Sequence, residues 1–141
     1  MILRLLGRDR VILGGPFDAL QSPSISMCLE ARSTRVAEAD LLFPIPDFQA
    51  PEQRDFVAGL RALLAAMRAR PDLPVYIGCR AGIGRTGMVI AALAKLAGTP
   101  DPVGWVRAHY HPEAVETIAQ FQAVGELDCA AVMAPPLNDV A

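Results

Sequence analysis

Residues 73–97 constrain this chain more than any other stretch. Leu73-Pro74-Val75-Tyr76-Ile77 is a short continuous apolar run of the kind found in buried strands. Met88 to Ala97 is apolar nearly all round, with Lys95 as its only charge. A helix without a polar face needs cover on every side, so it belongs in the middle of a domain. Between the two lies Gly78-Cys79-Arg80-Ala81-Gly82-Ile83-Gly84-Arg85-Thr86-Gly87, a glycine-rich connection. The rest of the chain must therefore wrap a buried strand–loop–helix unit.

The remaining pattern can supply that cover. Residues 10–16 and 24–30 read as short strands bounded by turn formers. A further strand, Asp40-Leu41-Leu42-Phe43, runs into Pro44-Ile45-Pro46-Asp47-Phe48, where two prolines stiffen a loop. Pro51 suits a helical first turn, and the helix is expected to reach about Ala69. Phe56, Leu60, Leu63, Leu64 and Met67 then share one apolar face, with Arg54, Arg61 and Arg68 on a solvated one. Asp101-Pro102 caps a helix to about Tyr110, and Pro112 is expected to start another with Ala114, Ile118, Phe121 and Val124 inward. Residues 130–141, with Pro135-Pro136, read as a loose tail. The expectation is one α/β domain over residues 1–141, a central sheet flanked by helices, with strand order left open.

A length of 141 residues suits a single core. The net charge of −2 provides no footprint for nucleic acid, so attraction for an anionic substrate would have to be local. No window approaches the roughly 20 apolar residues of a membrane span, and the apolar start is too short for a secretory signal. Cys28, Cys79 and Cys129 cannot all pair within one chain and show no metal-type clustering. A reducing cytoplasm is the expectation. The sequence leaves the oligomeric state open, with a monomer compatible with it.

The connection from Cys79 to Arg85 has a definite chemistry. Glycines at 82 and 84 let successive N–H groups turn inward and form an anion nest from Arg80, Ala81, Gly82, Ile83 and Gly84. The helix that follows adds N–H donors and a favourable dipole. Thiols at helix N-termini or beside cations are commonly thiolates at neutral pH, which makes Cys79 the candidate nucleophile. Arg85 can bridge two phosphate oxygens with its planar fork. Thr86 offers a hydroxyl to the sulfur when it becomes the leaving group. No Gly-Lys-Ser/Thr occurs, which excludes a Walker nucleotide site.

Cys79-x5-Arg85-Thr86-Gly87 resembles the signature of protein tyrosine and dual-specificity phosphatases, in particular the small atypical ones. The resemblance extends over roughly residues 40–125. It implies the phosphatase fold and hydrolysis of phosphomonoesters on proteins through a cysteinyl-phosphate, with no metal or cofactor. Pro44-Ile45-Pro46-Asp47-Phe48 is similar to the family's acid loop and makes Asp47 the candidate proton donor, with Asp40 and Asp55 in reserve. Pro112 to Gln120 is similar to a further family stretch from which Gln120 or Thr117 could approach the site.

Two departures open alternatives. The family's histidine before the nucleophile is Gly78 here, which raises a non-catalytic phosphate-binding module as a rival reading. The family's arginine–proline pair is His111-Pro112, and His109 and His111 read as surface or packing residues. A rhodanese-like sulfurtransferase is the third reading, disfavoured because its loop is usually one residue shorter and needs no acid. Cys28 or Cys129 is a conceivable disulfide partner for Cys79 under oxidation. The first forty residues are too few for the family's usual helix between the early strands.

Overall fold

The structure is a computed structural model and describes residues 1–135. Its strands are β1 (Ile2–Leu5), β2 (Arg8–Pro16), β3 (Ile25–Cys28), β4 (Leu41–Leu42) and β5 (Val75–Cys79). Its helices are α1 (Gln53–Ala69), α2 (Gly84–Leu96), α3 (Pro102–His109), α4 (Ile118–Glu126) and α5 (Cys129–Met133). They form one mixed α/β domain whose sheet runs β1-β2-β5-β3-β4. Only β1 is antiparallel to its neighbour, so β5 lies centrally among parallel strands.

Strand alternation divides the interior. Ile12, Ile25, Met27, Val75, Ile77 and Cys79 face the helices and share one large cluster with them. Leu13, Cys28 and Tyr76 face the other way and meet Phe17 and Leu20. That second face is covered by short 3-10 turns at Phe17–Ala19 and Val36–Glu38, not by a helix. The connection from β2 to β3 has no room for one, as the residue count implied.

The centre matches the expectation from its sequence. Every residue from Gly84 to Ala94 of α2 is buried. Lys95, its one charge, reaches the end of α4 and donates to the carbonyls of Val124, Gly125 and Leu127. The buried face of α1 is Phe56, Leu60, Leu63, Leu64 and Met67. Burying such side chains stabilises by about 1.5–3 kcal/mol each. Buried Arg10 of β2 donates to the carbonyls of Met67, Arg70 and Leu73, which closes the exposed end of α1.

The structure departs from the sequence reading at several points. β1, which the periodicity did not single out, pairs with β2 and buries Leu3 and Leu5. No helix starts at Pro112: Val115 has φ 63°, which interrupts any helix, and α4 begins only after its N-cap Thr117. The shifted start turns Ile118 (76% exposed) and Phe121 (52%) outward, while Ala114 and Val124 are buried as expected and Gln120 and Ala123 join them. Residues 130–133 belong to α5, capped by Asp128 and anchored by buried Val132. Arg61 is correspondingly half-buried, since it donates to the carbonyls of Ala131 and Ala134. Residues 136–141 of the expected tail lie outside the described residues.

Candidate active site

β5 ends at Cys79 and α2 starts at Gly84, so residues 80–83 make the whole connection. Gly82 has φ 76°, and a Cβ there would collide with the backbone of Gly15 on β2. Only glycine meets both conditions. The Gly82 N–H points back and donates to Cys79 Sγ at 3.2 Å. The N–H groups of Ala81, Ile83, Gly84 and Arg85 meet no acceptor among the described residues. Helix starts leave their first donors open, and here they follow directly on the N–H that meets the sulfur. Cys79 is 3% exposed, at the floor of a cleft of about 300 Å³ that Asp18, Glu30, Arg32, Ser33 and Arg80 also line.

Arg85 is 2% exposed and held from behind. Its Nη1 donates to the Ile45 carbonyl at 2.6 Å and to that of Leu29 at 3.4 Å. Its Nη2 reaches Glu30 Oε1 at 3.3 Å and Asp47 Oδ1 at 3.6 Å. Its Nε is buried and has no partner among the described residues.

Glu30, two residues past the end of β3, was not singled out by its sequence context. The Arg32 side chain and backbone N–H, and then Arg85, hold its carboxylate down to about 2. Burial alone would push it the other way. The signal that could have found it is the rule that a buried guanidinium needs a carboxylate behind it.

The other candidates are distributed as follows. The Thr86 hydroxyl is fully buried and accepts from the Cys79 N–H at 2.9 Å, leaving its own proton available. Arg80 and Ala81 are exposed, and Arg80 lines the cleft. Asp47 lies on the rim, its Oδ1 taking the Phe48 N–H at 2.9 Å. Asp40 instead binds the Ser26 N–H and hydroxyl, and Asp55 lies exposed on α1. Gln120 is buried, accepts from the Glu116 N–H and donates to the Gln49 carbonyl at 3.3 Å, so it braces the Asp47 loop. Thr117 caps α4. His109 stacks on Trp105, and His111 accepts from the Glu113 N–H.

Gly78 also has a structural cause. A Cβ there would lie 2.7 Å from Phe17 Cα and 2.9 Å from the Gly15 carbonyl oxygen. No side chain fits, histidine included. Cys28 pairs opposite Gly78, one residue out of step with Cys79, and its thiol belongs to the second cluster. Burial pushes that thiol up, and it donates to the Glu30 carbonyl.

Residues 20–98 match the family model described as polymorphic toxin system, DSP-PTPase phosphatase. The chain belongs to that family. It is 40% identical over 85 residues to paladin of Mus musculus, a match covering 57% of this chain and 10% of paladin. Human paladin matches with the same identity and coverage. An uncharacterized protein of Methanocaldococcus jannaschii is 35% identical over 86 residues, covering 61% of this chain and 53% of that one. The chain thus spans about a tenth of the paladins and about half of the archaeal relative. The crystal structure of Tk-PTP in the active form superposes with a TM-score of 0.63 at 29% identity, covering 74% of this chain and 77% of that one. Family, fold and loop together define a cysteine-dependent phosphatase domain. None of the described helices is long and apolar enough to cross a membrane.

Proposed function

We propose that the chain hydrolyses phosphomonoesters on proteins, chiefly phosphotyrosine with phosphoserine and phosphothreonine also accepted, through a phosphocysteine at Cys79. The observation that carries this is that Cys79 Sγ, which takes the Gly82 N–H, shares one loop with the buried Arg85 guanidinium and with N–H groups at Ala81, Ile83, Gly84 and Arg85 that meet no acceptor among the described residues. A phosphate dianion satisfies all of these donors at once.

The steps follow from the residues. The Cys79 thiolate attacks phosphorus while Arg85 and the loop N–H groups take the non-bridging oxygens, and charge developing there meets preorganised donors. Glu30 and the carbonyls of Ile45 and Leu29 hold Arg85 in place for this. Asp47, on the rim, gives its proton to the departing oxygen and then takes one from the water that attacks the phosphocysteine. The Thr86 hydroxyl, fixed by the Cys79 N–H, offers its proton to the sulfur as that bond breaks. The two guanidinium groups of the cleft lining, Arg32 and Arg80, stand beside two carboxylates, Asp18 and Glu30, and this balanced charge supports protein phosphate over highly charged inositol phosphates. Unpaired thiols at Cys28, Cys79 and Cys129 support a reducing, cytoplasmic setting.

Release of phosphate from a small aryl phosphate tests the reading. Cys79→Ser should abolish it, and normal turnover by that variant would sink the mechanism. Asp47→Asn should slow poor leaving groups about 10²–10⁴-fold and good ones much less. A protein that binds inorganic phosphate but releases none would be a phosphate-binding module, the reading that Gly78 raised.

A further inference from the structure

Tyr110, just after α3, reaches the phosphate cradle from behind. Its hydroxyl donates to the carbonyl of Gly82. Its ring packs on β2, where a Cβ at Gly14 would lie 2.8 Å from it. Burial, helped by the neighbouring Cys79 and Tyr76, pushes the phenol well above its ordinary value, so it remains a donor throughout the neutral range.

The consequence follows from peptide planarity. In a trans peptide the carbonyl and the next N–H point in opposite directions within one plane. A donor pulling on the Gly82 carbonyl therefore turns the Ile83 N–H away from Tyr110, and no acceptor takes that N–H among the described residues. On the other side of Gly82, its own N–H donates to Cys79 Sγ. Gly82 at φ 76° has wide conformational freedom, so its two flanking peptides need an external restraint. β2 restrains the residue by contact, and the hydroxyl of Tyr110 is the one side-chain donor on its carbonyl among the described residues.

We propose that Tyr110 is a positioning residue: its hydroxyl sets the Gly82–Ile83 peptide so that the Ile83 N–H faces the bound phosphate and the Gly82 N–H stays on the Cys79 sulfur. The inference deepens the phosphatase reading and rests on it for the identity of the ligand. It adds a residue far from the signature that the loop motif does not contain.

Tyr110→Phe removes the hydroxyl and keeps the ring. Calorimetric titration with inorganic phosphate should show affinity about tenfold weaker, as expected for one charge-assisted hydrogen bond. Alkylation of Cys79 by neutral iodoacetamide at pH 7 should slow several-fold in the same variant. Melting curves recorded in parallel verify that the variant is folded. Unchanged phosphate affinity together with an unchanged alkylation rate would overturn the proposal. A wild-type chain that bound no phosphate would instead count against the proposed function, and the alkylation rate would still decide the role of Tyr110.

Discussion

At the scale of single residues, Gly78 shows how packing explains a departure from a motif. The position that holds histidine in related signatures abuts the backbone of Phe17 and Gly15 here. Gly78→Ala should therefore destabilise by about 1–3 kcal/mol through overpacking and should not raise activity. Urea denaturation and the aryl phosphate assay check both halves. Glu30 carries the complementary lesson. Its carboxylate lies at about 2, below the ordinary 4.5, because Arg32 and then Arg85 bind it. That stabilisation is complete above about pH 4.5 and is lost as the pH falls toward about 2. Glu30→Gln should flatten this acid limb, seen by comparing urea midpoints at pH 7 and pH 3. It should also lower kcat/KM at least tenfold, since Arg85 loses its charged support.

Among the elements, α2 and α4 contrast in how far periodicity reaches. α2 is buried throughout and has no phase to misread. α4 has a phase, and a start displaced from Pro112 to Thr117 rotates its apolar residues relative to the core. Ile118→Ser should then change stability by less than about 0.5 kcal/mol, as expected for an exposed site. Val124→Ser, at a site 1% exposed, should cost about 2 kcal/mol or more. Equal costs in chemical denaturation would contradict the observed phase. Lys95 teaches the same point: its sequence context marks it as an isolated charge, and only the fold brings the α4 carbonyls to it.

For the molecule as a whole, the two faces of the sheet are unequally protected. Five helices cover one, and the small cluster of Phe17, Leu20, Cys28 and Tyr76 sits under short turns on the other. Phe17 is central to that thin layer and also abuts Gly78. Phe17→Ala should cost about 3–5 kcal/mol, a large part of the roughly 5–15 kcal/mol that holds a domain together. Thermal unfolding followed alongside phosphate release would show the two declining together.

The buried strand–loop–helix, the α1 face, the α/β class and the candidate loop from Cys79 to Thr86 were legible because each rests on local order: spacing, glycine positions, helical period. Asp47 became a candidate only through the resemblance of its Pro-rich stretch to the family's acid loop. The start of α4, the pairing of β1, the docking of α5 and the strand order were not legible, because long-range contacts select them from near-equal local alternatives. The site divides along the same line. The loop's donors and its candidate nucleophile are written in consecutive residues. Glu30 behind Arg85, Tyr110 behind Gly82 and the backbone that forbids a side chain at position 78 come from distant segments. Only the packed tertiary structure brings them within hydrogen-bonding or contact distance, where they can act on that loop.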